Sequence, residues 1–341
     1  MLNETSGMSV TAEVPLTMAI DNRTGSGSRV TPLVSFAVMD MFSVVNGFAL
    51  TSIISIFGIF TNTANIIVYC RMGLSESSNI NFLALSVIDF FVSFITFFLK
   101  LFFSSYLRQL STGPVTFMIS NSLGPAMLVA VGGSALMTAL ISTERWFCVV
   151  FPLQVKTFLT ARRVLYLIFA DIAYMTSFLT AFYSAFGAPP DGQIERQGVY
   201  YFWFFAVPSA TSFFIVVLTT IFLVVRLRKS LEWRRETSSQ SEKSSDKENK
   251  LVRTIIAIST IFIICFFPNV MNLFVQIIHP PFRYLDPYLG SLTIVMFSIS
   301  GVFQAVSSSI NIFFYYKMSS RYRKTFSETF IFLKGKVSDK N

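Results

Sequence analysis

Seven apolar stretches dominate this chain of 341 residues: about Val44–Tyr69, Ile80–Phe103, Val115–Phe147, Val164–Phe186, Tyr201–Leu227, Leu251–Ile278 and Pro287–Tyr316. Each exceeds the roughly 18 to 20 residues that a bilayer-crossing helix needs. With 53% hydrophobic and only 13% charged residues, against a usual ~25% charged, a water-soluble fold is excluded. The runs are continuous and not alternating, which argues against a membrane β-barrel. The expected fold is therefore an all-α membrane protein, a seven-transmembrane helix bundle. Short polar connections such as Arg71–Asn79, Ser104–Pro114 and Gly187–Gly198 make consecutive helices antiparallel neighbours.

Basic residues set the orientation. Six of the 27 Lys and Arg fall on the N-terminal side of the bundle (Arg23, Arg29, Lys100, Arg108, Arg196, Arg283), and the other 21 fall opposite. Positive charge stays in the cytoplasm, so the N-terminus is expected outside, with the protein multi-pass in the plasma membrane. The net charge of +9 then faces anionic lipid, and nucleic acid is not an expected partner.

Residues 1–40 read as a polar outer tail with acceptors for N-glycosylation at Asn3 and Asn22, and no short cleavable signal, so the first span is expected to direct insertion. Residues 41–318 make up the bundle. Residues 319–332 alternate basic and aromatic side chains, with Tyr322, Phe326, Phe330 and Phe332 on one face, the pattern of a short amphipathic helix in the interface after the seventh span. Residues 333–341 form a cytoplasmic tail. The Ser-rich, mixed-charge segment Lys229–Asn249 reads as a solvated loop. The three cysteines, Cys70, Cys148 and Cys265, are expected as thiols, and no Cys/His spacing suggests a metal site.

A charge inside the membrane needs a partner or a function. Asp89 lies in the second span, Glu144 and Arg145 end the third, and Asp171 lies within the fourth. The surrounding residues follow an order. The first span contains Gly58-Ile59-Phe60-Thr61-Asn62 and the second Leu85-Ser86-Val87-Ile88-Asp89. The third closes with Ser142-Thr143-Glu144-Arg145-Trp146, followed by Val150-Phe151-Pro152-Leu153. The fifth has Pro208, the sixth Phe262 and Cys265-Phe266-Phe267-Pro268, and the seventh Asn311-Ile312-Phe313-Phe314-Tyr315, then Ser320-Arg321-Tyr322-Arg323.

From about Gly58 to Phe326 the chain thus resembles the rhodopsin-like G-protein-coupled receptors. The Asn62–Asn65, Ile80–Asp89 and Asn311–Ser319 segments resemble the chemosensory receptors of molluscs and related invertebrate neuropeptide receptors. The resemblance implies a G-protein switch at Glu144, Arg145 and Trp146, with Glu248 as a second acid that bridges to Arg145 and Tyr315 turning inward on activation. Glu248 is otherwise read as one more solvated loop charge. The resemblance also implies a polar network of Asn62, Asp89, Ser134, Ser307 and Asn311, with oxygen ligands suited to an allosteric Na⁺. Without an ion, the same residues read as a hydrogen-bonded network that satisfies itself. Pro208 and Pro268 should kink their helices, and Phe262 and Phe266 should fill the space beneath a ligand cavity.

Several departures matter. Phe266 stands where the family has Trp, Val216 where it has a Tyr partner for Tyr315, and Ile312 where it has Pro, so the end of the seventh helix is left unkinked by proline. The cysteine staple of the outer face is missing at Ser120 and throughout Gly187–Tyr200. Met127 replaces the Asp of amine receptors and Ala305 the retinal Lys of opsins, which argues against both ligand types.

Candidate ligand contacts are Lys100, Met127 and Gln276, within a wider set of Arg108, Gln109, Gln193, Glu195, Arg196, Arg283 and Asp286. The implied partners are an extracellular small molecule or peptide, a heterotrimeric G-protein, a receptor kinase and arrestin acting near Ser238–Ser245, and membrane lipid. No catalytic constellation appears, so an enzyme is not expected. The alternative is a secondary transporter or channel, for which Asp171 is the attractive residue.

Overall fold

The computed structural model describes residues 31–102, 113–151, 160–184, 190–236, 242–279 and 286–338. Among them seven helices are long and apolar enough to cross a membrane, and no strand occurs. We number the helices α1 (Phe36–Met72), α2 (Ser77–Phe102), α3 (Gly113–Val150), α4 (Ala161–Ser184), α5 (Pro190–Tyr201 continuing through Phe202–Ala206 and Val207–Glu236), α6 (Glu242–Ile278), α7 (Gly290–Ser309), α8 (Asn311–Met318) and α9 (Ser320–Ser338).

Burial runs opposite to that of a soluble protein. Large apolar side chains face outward, among them Phe60, Tyr166, Phe169 and Leu218, all more than 60% exposed. Asn62, Asn65, Asp89 and Asn311 are buried among the helices. Lipid can solvate the first set, whereas the second must find partners inside. α3 is the axis of the bundle: 61% of its membrane-crossing window is buried, against 22% for peripheral α4. It touches α2, α4, α5 and α6, while α7 closes the ring against α1 and α6.

At four places the regular helix is interrupted or lacks a donor for a chemical reason. Pro208 has no N–H for the carbonyl of Phe204, and the ladder widens to π-type turns over Phe202–Ala206 just before it. Pro268 lies inside α6, and Pro125, which the sequence reading passed over, lies inside α3. The fourth place has no proline. The seventh span stops at Ile310 and restarts at Asn311, although Ile312 stands where the family has Pro. Thr61 Oγ1 donates to the carbonyl of Ser309 at 3.0 Å and Asn62 Nδ2 to that of Ser308 at 2.7 Å. Phe313 N then donates to Ile310 O at 3.1 Å, one residue short of its α-helical acceptor. Side chains of α1 inserted into the ladder do here what proline does elsewhere.

Helix extends into several segments read as something else. α1 starts at Phe36, inside the expected tail, where Ser35 Oγ accepts from Val38 N at 3.4 Å. α5 starts at Pro190 and continues to Glu236, and α6 starts at Glu242, so the expected Lys229–Asn249 loop is helical at both ends. α9 runs to Ser338, past the expected end at residue 332. Polar residues such as Glu, Lys and Arg form helix well but carry no apolar signal, so hydropathy underestimates the length. On α9, Tyr322 is buried, and Phe326 and Phe330 pack against the core that contains Tyr69 and Tyr315. Arg321 reaches back to Glu76 at 2.9 Å and to the carbonyl of Met72 at 2.8 Å. Between α1 and α2, Gly73 ends the first helix at φ 85°, a conformation that favours glycine.

Candidate functional site

The polar residues of the bundle assemble at three levels. At the end of α3, Glu144 and Arg145 are both buried, 3.6 Å apart. Glu144 accepts from Ser77 Oγ at 2.7 Å and from Asn81 Nδ2, and Arg145 donates to Ser78 Oγ. The first turns of α2 thus hold both charges, which meets much of the cost of burying them, while Arg145 Nε and Asn81 Oδ1 have no hydrogen-bond partner. These three α2 partners were not foreseen, because Ser and Asn carry no distinctive sequence signal. Trp146 lies edge-on to Phe222 of α5, with ring centroids 6.0 Å apart. One turn above Arg145, the hydroxyls of Ser142 and Ser259 share a hydrogen bond of 2.9 Å, linking α3 to α6. The backbone of Glu248 lies on α6, but its side chain is outside the described residues. Tyr315, fully buried, packs against Tyr69, Phe82 and Tyr322, and Val216 is buried in the core of α5.

The second level centres on Asp89. Its Oδ1 accepts from Ser134 Oγ at 2.7 Å and its Oδ2 from Asn311 Nδ2 at 2.9 Å. Asp89, Ser134, Ser307 and Asn311 line a small cavity of about 10 Å³ together with Thr138 and Phe262. Asn62 does not join Asp89 directly, as the self-satisfying network required. It holds the Ser308 carbonyl and accepts from Asn65 Nδ2 at 3.4 Å. Asn65 in turn accepts from the Tyr322 hydroxyl at 2.5 Å. Asp171 stands apart: neither carboxylate oxygen has a hydrogen-bond partner.

The third level is a cavity of about 520 Å³ enclosed by α3, α5, α6 and α7 with Phe182 of α4. That volume suits a small molecule. Met127 and Gln276 line it as expected, whereas Lys100, in the last turn of α2, does not. Asp286 does not line it either: its Oδ1 accepts from Tyr288 N at 2.9 Å and Leu289 N at 2.7 Å, capping the entry to α7. Tyr201, Asn269, Ser300 and Gln304 line the cavity without having been foreseen, because their helices reveal a facing only in three dimensions. Beneath it, Phe262 and Phe266 stack with centroids 4.9 Å apart. No disulfide joins the three cysteines. Asn3, Asn22, Arg108, Gln109 and Arg283, and the side chains of Gln193 and Glu195, lie outside the described residues.

This arrangement can be set beside known proteins. The family described as serpentine type 7TM GPCR chemoreceptor Srw matches residues 192–333, from α5 to α9. Lysophosphatidic acid receptor 4 of Homo sapiens and that of Mus musculus are each 25% identical over 299 residues, covering 83% of this chain and 76% of the relative. The crystal structure of squid rhodopsin superimposes with a TM-score of 0.58 at 15% identity, covering 88% of this chain and 87% of the other, and so shares the fold. Along most of its length the chain is similar to rhodopsin-like G-protein-coupled receptors, and it shares their seven-helix fold. Its seven apolar helices make it a multi-pass membrane protein, and the transporter alternative gains nothing from these matches. Glu144, Arg145 and Trp146 lie at the end of α3, and the large cavity lies more than three turns back along that helix, beside Gly124 to Val131.

Proposed function

We propose that this receptor lies in the plasma membrane with its N-terminus outside and responds to a chemosensory ligand bound in the 520 Å³ cavity. The observation that carries this reading is the buried Glu144–Arg145 pair held by Ser77, Ser78 and Asn81, a charge cluster whose partners can be exchanged. Ligand binding shifts the population toward a state in which α6 moves away from α3, freeing Arg145 for the G-protein. Glu248 and Ser259 of α6 serve as the α6 side of that contact, and Tyr315 rotates from its aromatic packing.

The Asp89 cavity fits a small cation. One carboxylate, the Ser134 and Ser307 hydroxyls and the Asn311 carboxamide surround a volume about the size of one water or ion. In this reading Na⁺ binds there and favours the resting state. Receptor kinase and arrestin act on the serines between residues 238 and 245, where phosphate beside basic residues changes docking. α9 lies along the cytoplasmic interface with its aromatic face on the bundle and its basic residues toward lipid headgroups, and Asn3 and Asn22 carry glycans.

The mammalian relatives are named for lysophosphatidic acid, an anion. No cationic side chain lines the cavity among the described residues, so that ligand does not transfer. The decisive experiment compares wild type with Arg145→Ala in cells at matched surface expression, reading G-protein activation against water-borne odorants. A response lost in the variant supports the switch, and equal responses refute it.

A further inference from the structure

The large cavity restricts the chemistry of its occupant. Its described lining contains no Lys, Arg, His, Asp or Glu, and much of its wall is aliphatic or aromatic, with Met127, Leu128, Val131 and Phe205. An ammonium, carboxylate or phosphate placed there would lose its water and meet no counter-ion, which strongly disfavours it.

Polar groups are nevertheless present. Three carboxamides, Asn269, Gln276 and Gln304, line the same space. Asn269 Nδ2 is fully buried and has no hydrogen-bond acceptor in the protein. Nearby on α6, Asn272 shows the ordinary outcome, donating to Ser300 Oγ at 2.8 Å. A buried donor without an acceptor is uncommon in folded proteins and costly to leave unmet. Asn269 lines the cavity through the rest of its side chain, and a turn of its carboxamide brings this donor to an acceptor on an occupant.

Resting on the reading of this cavity as the ligand site, we propose that the ligand is an uncharged, mostly apolar organic molecule whose carbonyl oxygen accepts a hydrogen bond from Asn269 Nδ2, with Gln304 as a second polar contact. This favours one of the ligand classes the sequence left open, the neutral cue, over amino-acid-like and charged peptide ligands.

The test uses the full-length receptor in detergent, read by ligand-induced change in its thermal midpoint. The probes share one apolar skeleton and differ only in head group: methyl ketone, N-methyl amide, carboxylate, phosphate monoester and primary amine. The neutral carbonyl probes are expected to raise the midpoint and the charged ones to leave it unchanged. Asn269→Leu should weaken the best neutral probe about tenfold, as losing one buried hydrogen bond does. If that variant fails to fold, the isosteric Asn269→Asp carries the test, losing the carbonyl probe and gaining the amine. Charged probes that bind as tightly, no neutral probe that binds, or neutral binding undiminished in both Asn269→Asp and Gln304→Leu would each overturn the assignment. Binding of a neutral probe with no G-protein activation would instead count against the proposed activation route alone.

Discussion

Ser142 on α3 and Ser259 on α6 share a hydrogen bond of 2.9 Å, and both side chains are buried. It is a described polar link between the two helices whose separation the activation proposal requires. A neutral hydrogen bond contributes about 1 kcal/mol net, or about a fivefold change in a two-state equilibrium. Ser259→Ala should therefore raise ligand-free G-protein activation by about that factor at matched surface expression. Unchanged basal activity would show that this bond does not restrain α6.

Tyr322 ties α9 to α1 through Asn65. Tyr322→Phe keeps the ring packing on Tyr69 but leaves the buried Asn65 Oδ1 without this donor, a loss of about 1–3 kcal/mol. A lower thermal midpoint in detergent is the expected result. Burial also pushes the Tyr322 phenol above its ordinary value. The group stays neutral in the fold when it would ionise in the unfolded chain, so its contribution is complete below about pH 10 and declines as pH rises further. Comparing the alkaline limb of stability in wild type and Tyr322→Phe checks the sign: the wild type should have the steeper decline.

Gly58 sets how closely α1 approaches α2 and α7. A Cβ there would collide with the hydroxyls of Ser309 and Ser93 and come within 3.1 Å of Ser93 Cβ. Overpacking of this kind costs about 1–3 kcal/mol or more for a larger side chain. Gly58→Val should reduce folded receptor at the cell surface, with Gly58→Ala intermediate. Wild-type surface levels for both would mean the helices separate freely.

Sodium offers a test at Asp89. If the ion occupies the site, replacing Na⁺ by choline should raise basal G-protein activation in membranes. Asp89→Asn, which keeps the shape but removes the charge, should abolish the difference. Equal activity in both salts would leave Asp89, Ser134 and Asn311 as a hydrogen-bonded network alone.

What the sequence revealed and what it hid follow from how each feature is encoded. Seven spans were legible because a membrane demands long apolar runs, and Asp89, Glu144 and Arg145 were conspicuous because charge inside such runs is rare. Ser77, Ser78 and Asn81, which hold that charge pair, were invisible, since a polar residue in the first turn of a helix is ordinary. The cavity residues Asn269 and Gln304 needed the azimuth of each helix, which a run of apolar residues all round does not specify. Lys100 misled for the converse reason: its charge was visible, but its direction was not.

The break at Ile310 differs in kind from the one proline would make. Proline deletes a donor permanently, so its helix is broken in every conformation the protein visits. Here every N–H of the seventh span is intact, and the two diverted carbonyls are held by Thr61 and Asn62 of another helix. The defect is therefore written in the neighbour and is erasable. Were α1 and the seventh span to separate, the carbonyls of Ser308 and Ser309 would be free to accept from the N–H groups of Ile312 and Phe313, closing the ladder into one uninterrupted rod that parts again when they return. Such a joint can be locked or released by its surroundings, which a proline hinge cannot.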